Sequence, residues 1–191
     1  MNQFQLYKMY RLKNVKNKLL CHISGPNGCG KSTVGEYLQK VFWDCIIVKD
    51  LDDFDSTKEI DWTNIKDINK FLNKRFEAKQ KKVDDFLKNA NKPVVFVGLH
   101  TEGSHVLSIP TCNRFILPIT ADQAAINAIA RSKRQKMQEQ KDVHPTHKQK
   151  CDIADLVERK KEAQRDIEYL HSMGYVKKNR RQLEIWIREN I

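Results

Sequence analysis

No stretch of the 191-residue sequence is apolar for long enough to cross a bilayer, and the N-terminus lacks the apolar core of a secretory signal. The first acidic residue is Glu36, so the leader, residues 1–17, is basic and free of acid. It holds one arginine and no serine, which argues against a mitochondrial transit segment. We therefore expect a soluble, cytoplasmic protein that forms one domain over residues 1–191.

The chain also lacks the cysteine pattern of a disulfide-stabilised protein. Its five cysteines are an odd number at irregular spacing, and no Cys-x-x-Cys pair occurs. This favours reduced thiols. A zinc site that combines Asp142 with His144, His147 and Cys151 is an alternative use, although His-x-x-His is looser than the usual ligand spacing and no cysteine pair anchors it.

The chain has fewer acidic than basic residues: it contains 24 Asp and Glu and 35 Lys and Arg, which gives a net charge of +11. Such a charge favours anionic partners without separating nucleotides from nucleic acids. The basic residues are dispersed along the chain, with no aromatic residues interleaved to form a stacking platform for single strands. A small-molecule partner is therefore favoured over a nucleic acid.

One glycine-rich stretch fits the pattern G-x-x-x-x-G-K-[ST] of the phosphate-binding P-loop at every fixed position. Residues 19–23 before it predict a short buried strand, and apolar residues at helical spacing follow it. In such a loop, glycines let successive backbone N–H groups point at phosphate oxygens, and the helix start faces the same oxygens. The expected nucleotide-binding residues are Gly25, Asn27, Gly28, Cys29, Gly30, Lys31, Ser32 and Thr33.

Three of these side chains have separate expected roles. Lys31 should reach the β and γ phosphates of ATP, Ser32 should bind Mg²⁺, and Thr33 should support the α phosphate. An ordinary glycine turn before a helix has no need for a lysine followed by a serine. The stretch therefore predicts ATP and Mg²⁺ as cofactors.

Short apolar runs alternate with helical patterns along the chain. The runs predict strands at 19–23, 45–48, 93–98, 114–119 and 175–176, and the longest helical pattern spans 64–90. This alternation predicts an α/β fold in which a parallel sheet is flanked by helices on both faces. Together with the P-loop it indicates a P-loop kinase type of domain with a mobile lid at about 131–160, of which 135–150 should be loop.

Acidic residues cluster after the second predicted strand, where four carboxylates fall within six residues, 50–55. Ligands of open parallel sheets lie beyond the carboxyl ends of the strands, where the P-loop also opens. A carboxylate there can hold a metal or accept the proton of an attacking hydroxyl. Asp52 and Asp53 are the candidates for these roles, with Ser32 and Asp52 as the metal ligands.

The third strand, in contrast, ends without the aspartate that motor ATPases, transporters and helicases carry there. Dedicated ATP hydrolysis is therefore disfavoured, and Glu102 is the nearest acid that could face the site. On a later predicted helix, Arg131 and Arg134 lie three residues apart and share a face. Their guanidinium groups could clamp a transferring phosphate, or form a solvated basic surface.

The order of these motifs resembles the small-molecule kinases of the uridine kinase and nicotinamide riboside kinase group. That resemblance implies that Asp52 and Asp53 are candidates for the acceptor base and the metal shell, and that the arginines are lid residues. Glu102-Gly103 is similar to a Glu-Gly of that family but lies several residues later. The resemblance rests on the P-loop, Asp52-Asp53-Phe54, Ile60-Asp61-Trp62, Arg131 and Arg134.

The implied activity is an ATP- and Mg²⁺-dependent phosphotransfer to a hydroxyl of a small molecule, with a nucleoside or nucleoside-like acceptor. Asp50-Leu51-Asp52 is also similar to the Asp-x-Asp of shikimate-type kinases, but their glycine cluster after the third strand is absent. Two alternatives remain: a kinase for polynucleotide 5′-hydroxyls, and a nucleotide-binding regulatory protein without an acceptor.

Overall fold

The computed structural model describes residues 18–55, 67–99, 101–102, 105–110, 112–139 and 153–191. The basic leader 1–17 and the central part of the expected lid lie outside these residues. So do Ile60-Asp61-Trp62, Gly103 and the zinc candidates Asp142, His144, His147 and Cys151.

Helices and strands alternate through the described chain. The strands are β1 (Leu19–Ser24), β2 (Ile47–Asp50), β3 (Val94–Val97), β4 (Thr101–Glu102), β5 (His105–Val106), β6 (Asn113–Ile116) and β7 (Val176–Lys177). The helices are α1 (Lys31–Val41), α2 (Ile68–Asn89), α3 (Ala121–Glu139), α4 (Ile153–Ser172) and α5 (Arg180–Asn190), and a 3₁₀ turn spans Leu51–Phe54.

Five strands form one sheet in the order β2-β3-β1-β6-β7, and every pairing in it is parallel. After β1 the chain passes to β2, at one edge of the sheet. After β3 it passes to β6, which lies on the opposite side of β1. The carboxyl ends of β1 and β3 therefore flank the point where the strand order reverses, which is where open α/β sheets bind ligands. The short strands β4 and β5 form a separate antiparallel hairpin.

Alternate residues of the strands supply two apolar layers, as a sheet covered on both faces requires. On one face, Val95 and Val97 of β3 pack in the same cluster as α1 and α5. On the other face, Val94 and Phe96 pack with the 3₁₀ turn and with Val83 of α2, and β6 packs with α4. The predicted α/β fold, with a parallel sheet between two helical layers, is confirmed.

Some predicted boundaries are wrong. Strand β2 begins at Ile47 and includes Asp50, two residues later than the apolar run predicted, because Cys45 and the preceding residues form the turn after α1. Helix α3 continues to Glu139, so residues 135–139 are helical and not loop. The β4–β5 hairpin, which has only two residues in each strand, was not predicted.

In the part of the chain that the structure describes, no helix is long and apolar enough to cross a membrane. Four cysteines of the described residues form no disulfide bond with one another: Cys21, Cys29, Cys45 and Cys112.

Candidate active site

The P-loop connects β1 to α1 and depends on glycine for its path. Gly28 and Gly30 have φ angles of 83° and 87°, in the left-handed region that glycine adopts at little cost. At Gly28 the space is also limited, because an added Cβ would lie 2.3 Å from the carbonyl oxygen of Ala124. The Asn127 amide donates to the Gly28 carbonyl at 3.0 Å, so the loop is packed against α3.

The start of α1 is suited to an anion. Gly30 is its N-cap and supplies no side-chain cap, and no acidic residue occupies the first turn. The N-terminal N–H groups of a helix and its dipole attract phosphate oxygens at such a position. Lys31, in the first turn, extends back across the loop, and its ammonium donates to the carbonyls of Gly25 at 2.8 Å and Pro26 at 3.0 Å.

Ser32 contacts a carboxylate from the neighbouring part of the sheet. Its hydroxyl donates to Asp50 Oδ2 at 3.1 Å. The other oxygen of Asp50 accepts from the backbone N–H of Asp52, also at 3.1 Å, and so caps the 3₁₀ turn. Asp50 thus joins the end of β2 to the first turn of α1. The acid that contacts the predicted metal ligand Ser32 is therefore Asp50. Asp52, the acid that we predicted as a metal ligand, bonds to Asp50 through its backbone N–H.

The 3₁₀ turn directs its acids outward. With three residues per turn, positions 51 and 54 share one side; Leu51 and Phe54 are both buried. The ring of Phe54 packs edge-on against Phe86 and Phe96, which anchors the turn on α2 and β3. Asp52 and Asp53 consequently lie on the exposed side.

The two exposed acids have different neighbours. Asp53 forms an ion pair of 2.7 Å with Lys49, whereas the cation that lies within ion-pair distance of Asp52 in the described residues is Lys79, at 4.0 Å. Desolvation and then repulsion from Asp50 raise the pKa of Asp52, and the ammonium groups of Lys79 and Lys31 oppose this rise. With 82% of its side chain exposed, solvent screens this shift.

The α3–α4 pair meets the P-loop on its other side. Asn27 of the loop, Ala125 and Ala128 of α3, and Arg159 and Asp166 of α4 line one small cavity. Burial raises the pKa of Asp166, and the Lys31 ammonium partly offsets that rise. The cavity thus brings a guanidinium and a carboxylate from α4 to the loop that carries Lys31.

The predicted lid arginines lie elsewhere on this pair of helices. Arg131 and Arg134 are exposed on the second half of α3. Arg159 of α4, in contrast, lines the cavity beside Asn27, and its Nε lies 3.4 Å from Asp155. No sequence signal separates Arg159 from the many other cations of this region, because its position depends on how α4 packs against α3.

The structure also describes two other residues that we expected at the site. Glu102 lies in β4, five residues after the end of β3, and Thr33 is exposed in the first turn of α1. Cys29 is half-buried in the P-loop, with its sulfur 3.9 Å from Lys31 Nζ, and burial raises the pKa of its thiol. In the described residues, no cluster of three or more His, Cys, Asp and Glu side chains is placed to hold a metal ion.

A buried polar contact beneath the site was not predicted. His22 of β1 is fully buried, and its Nε2 donates to the carbonyl of Gly98, which follows β3, at 2.9 Å. Because a carbonyl only accepts, Nε2 carries the hydrogen, and in the neutral ring Nδ1 accepts from the Tyr175 hydroxyl at 2.5 Å. His22 therefore joins the ends of β1 and β3 to the residue before β7.

The chain matches no protein-family model, and no curated protein matches it. Among solved structures, a gluconokinase from Sinorhizobium meliloti 1021 is 14% identical, with a TM-score of 0.39, over 83% of this chain and 98% of that one. TT1252 from Thermus thermophilus is 16% identical, with a TM-score of 0.43, over 81% of this chain and 98% of that one. Both likenesses are distant, so they assign neither a family nor a function to this chain.

Proposed function

We propose that this protein is an ATP- and Mg²⁺-dependent phosphotransferase that moves the γ-phosphate to a hydroxyl of a small molecule, with a nucleoside or nucleoside-like acceptor. One observation carries the proposal. The P-loop with Lys31 and the Ser32–Asp50 pair opens at the same edge of the sheet as an exposed carboxylate, Asp52. A donor-phosphate site thus lies beside a candidate acceptor base.

The residues fit the two groups that the proposal requires. The glycine-lined loop and the uncapped start of α1 suit a phosphate chain, and the Ser32 hydroxyl and Asp50 carboxylate are the hard oxygen donors that Mg²⁺ prefers. When bound, Mg²⁺ offsets charge on the β and γ phosphates. Asp52 remains a second proposed member of this metal site.

In the proposed mechanism, the P-loop amides orient the phosphates, and Lys31 leaves the carbonyls of Gly25 and Pro26 to donate to the transferring group. Asp52, or Asp53, accepts the proton of the acceptor hydroxyl as that oxygen attacks the γ-phosphorus, and the bond from the γ-phosphorus to the bridging oxygen breaks so that ADP leaves. Arg131 and Arg134 are proposed to offset charge on the transferred group, and Arg159 joins them because it lies beside the P-loop.

The test is ADP release with Mg·ATP against nucleosides, nucleotides, polyols and a 5′-hydroxyl oligonucleotide. Lys31→Ala serves as the inactive variant, and Lys40→Ala, an exposed lysine of the same helix, serves as the matched control. We expect the wild type and the Lys40 variant to phosphorylate one small acceptor and Lys31→Ala to lose at least about 100-fold in rate.

Other outcomes of this panel would replace the proposal. Product from the oligonucleotide alone would identify an end-processing kinase. Nucleotide binding with no product from any acceptor would identify a regulatory nucleotide-binding protein. The odd number of cysteines and their irregular spacing support the cytoplasmic location that we propose.

A further inference from the structure

Lys79 is a buried cation on the face of α2 that packs against the sheet. Only 7% of the residue is exposed, and Val83, one turn further along the helix, is fully buried in the apolar cluster. Lysine is almost never this buried without a partner. Its position follows the apolar periodicity of the helix, so a methionine or leucine would satisfy the packing there.

The carboxylate nearest to the Lys79 ammonium in the described chain interacts with it only weakly. In the described chain the only carboxylate within ion-pair distance of its ammonium is that of Asp52, at 4.0 Å, which is too long for a hydrogen bond. The Asp52 side chain is itself 82% exposed and therefore well solvated. A solvated carboxylate at this distance offsets little of the cost of burying an ammonium group.

The neighbouring cations are, by contrast, closely paired. Lys49 binds Asp53 at 2.7 Å, and Arg75, one turn before Lys79, donates through two nitrogens to the two oxygens of Asp55. Within this cluster of described residues, Lys79 is the cation whose N–H donors are not taken up by a close acceptor. The Lys79 ammonium lies on the side of α2 where the Asp52 carboxylate is found, 4.0 Å from it.

Asp52 is linked to two elements of the fold. Its backbone N–H donates to Asp50, which accepts from Ser32, the residue after Lys31, and Lys79 of α2 lies 4.0 Å from its carboxylate. If Asp52 contacts the reacting hydroxyl, the donor phosphates occupy the side of Lys31. The rest of the acceptor then extends toward α2 and Lys79.

We infer that the acceptor carries a negatively charged group, a carboxylate or a phosphate, and that Lys79 binds it. This inference rests on the proposed phosphotransferase function, which itself leaves the charge of the acceptor open. An anionic oxygen would supply the hydrogen bonds that the Lys79 ammonium lacks, and a buried cation strengthens such a bond. Lys79 is thus a specificity-determining residue, which selects an anionic acceptor over its neutral analogue.

The test compares pairs of acceptors in which one member carries an added anionic group, such as uridine against uridine 3′-monophosphate, and ribitol against ribonate. The variants are Lys79→Met, Lys79→Arg and, as the matched control, Lys82→Met at an exposed position of the same helix. We expect Lys79→Met to lower the ratio of kcat/KM for the anionic over the neutral acceptor by about 10- to 100-fold. Lys79→Arg should retain most of this ratio, and Lys82→Met all of it.

A binding measurement makes the inference independent of finding the substrate. With Mg·ADP saturating the P-loop, inorganic phosphate or acetate should raise the Tm of the wild type and of Lys82→Met, and should raise that of Lys79→Met much less. A response to phosphate would identify a phosphate-bearing acceptor, and a response to acetate a carboxylate-bearing one. Lys79→Met alone should unfold at no lower temperature than the wild type, because it removes a poorly paired buried charge.

Three results would overturn the inference: an unchanged acceptor ratio in Lys79→Met, an equal response of wild type and Lys79→Met to both anions, or a large loss of Tm in Lys79→Met. Each differs from failure of the proposed function. That failure would appear as absence of product from every acceptor, while the anion response would still report on Lys79.

Discussion

At the scale of single residues, the site depends on which acid faces which cation. Asp50 is held by Ser32 and by the backbone N–H of Asp52, and Asp53 is paired with Lys49. Asp52 keeps its carboxylate exposed beside Lys79 and within electrostatic range of Lys31. Of the two acids that we proposed as base, Asp52 is therefore the one with its oxygens free to meet a hydroxyl.

We predict that Asp52→Asn lowers kcat by about 100- to 10,000-fold, the contribution typical of a general base. Asp53→Asn, which removes an exposed ion pair of small energetic value, should lower kcat far less. Single-turnover rates with saturating Mg·ATP and acceptor would measure both. If Asp53→Asn is the more damaged variant, the base is Asp53.

At the scale of elements, the P-loop is shaped as much by α3 as by its own glycines. The Cβ position at Gly28 lies 2.3 Å from one backbone atom of α3 and 2.8 Å from another, whereas at Gly30 nothing lies within 4 Å. Both residues have φ in the left-handed region. Contact with a neighbouring helix therefore restricts Gly28, a position that the motif leaves variable, more than Gly30, which the motif fixes.

This difference predicts that Gly28→Ala is more destabilising than Gly30→Ala. Both variants carry the cost of a left-handed non-glycine residue, about 1–3 kcal/mol, but only Gly28→Ala must also displace the backbone of α3. Urea unfolding of the two variants measures the difference in free energy of unfolding. Equal losses in the two variants would mean that α3 does not press on the loop in solution.

At the scale of the whole molecule, His22 connects strands that are distant in sequence. It bonds to the carbonyl of Gly98 after β3 and to the hydroxyl of Tyr175 before β7. A buried imidazole nitrogen that loses its partner is costly, because no water replaces the bond. The contact thus helps to hold β1, β3 and β7 in position relative to one another.

We predict that Tyr175→Phe lowers the free energy of unfolding by about 1–3 kcal/mol, since it removes the hydroxyl that bonds to the buried His22 Nδ1. Tyr37→Phe is the matched control, because that hydroxyl bonds to Glu184 at the surface. Urea unfolding should show a clearly smaller loss for the control. Similar losses for the two variants would argue against a stabilising role for the buried contact.

Binding of the donor nucleotide should also stabilise the folded chain. At 100 times its dissociation constant, Mg·ATP should add about 2.7 kcal/mol to the free energy of unfolding. The rise in Tm should be lost in Lys31→Ala, because Lys31 contacts the P-loop. It should be kept in Lys40→Ala, because Lys40 lies in the last turn of the same helix. A full rise in Lys31→Ala would remove Lys31 from the nucleotide site.

Much of the fold follows from short-range patterns in the sequence. The P-loop signature, the apolar strands and the helical periodicity predict the alternation of elements and hence a parallel sheet, which the structure confirms. The boundaries near Cys45 and Glu139 are less predictable, because turns and helix ends depend on small differences between local and tertiary contacts. The β4–β5 hairpin is too short to leave a periodic signal.

By itself, the sequence determined the phosphate-binding loop, the roles expected of Lys31 and Ser32, and the cluster of acids, because these are carried by residues close together in the chain. Only the tertiary structure decided that Asp50 meets Ser32, that Arg159 reaches the P-loop and that Lys79 is buried beside Asp52. Each of these contacts joins residues from separate elements. Their distances are set by how helices pack on the sheet, which no spacing along the chain specifies.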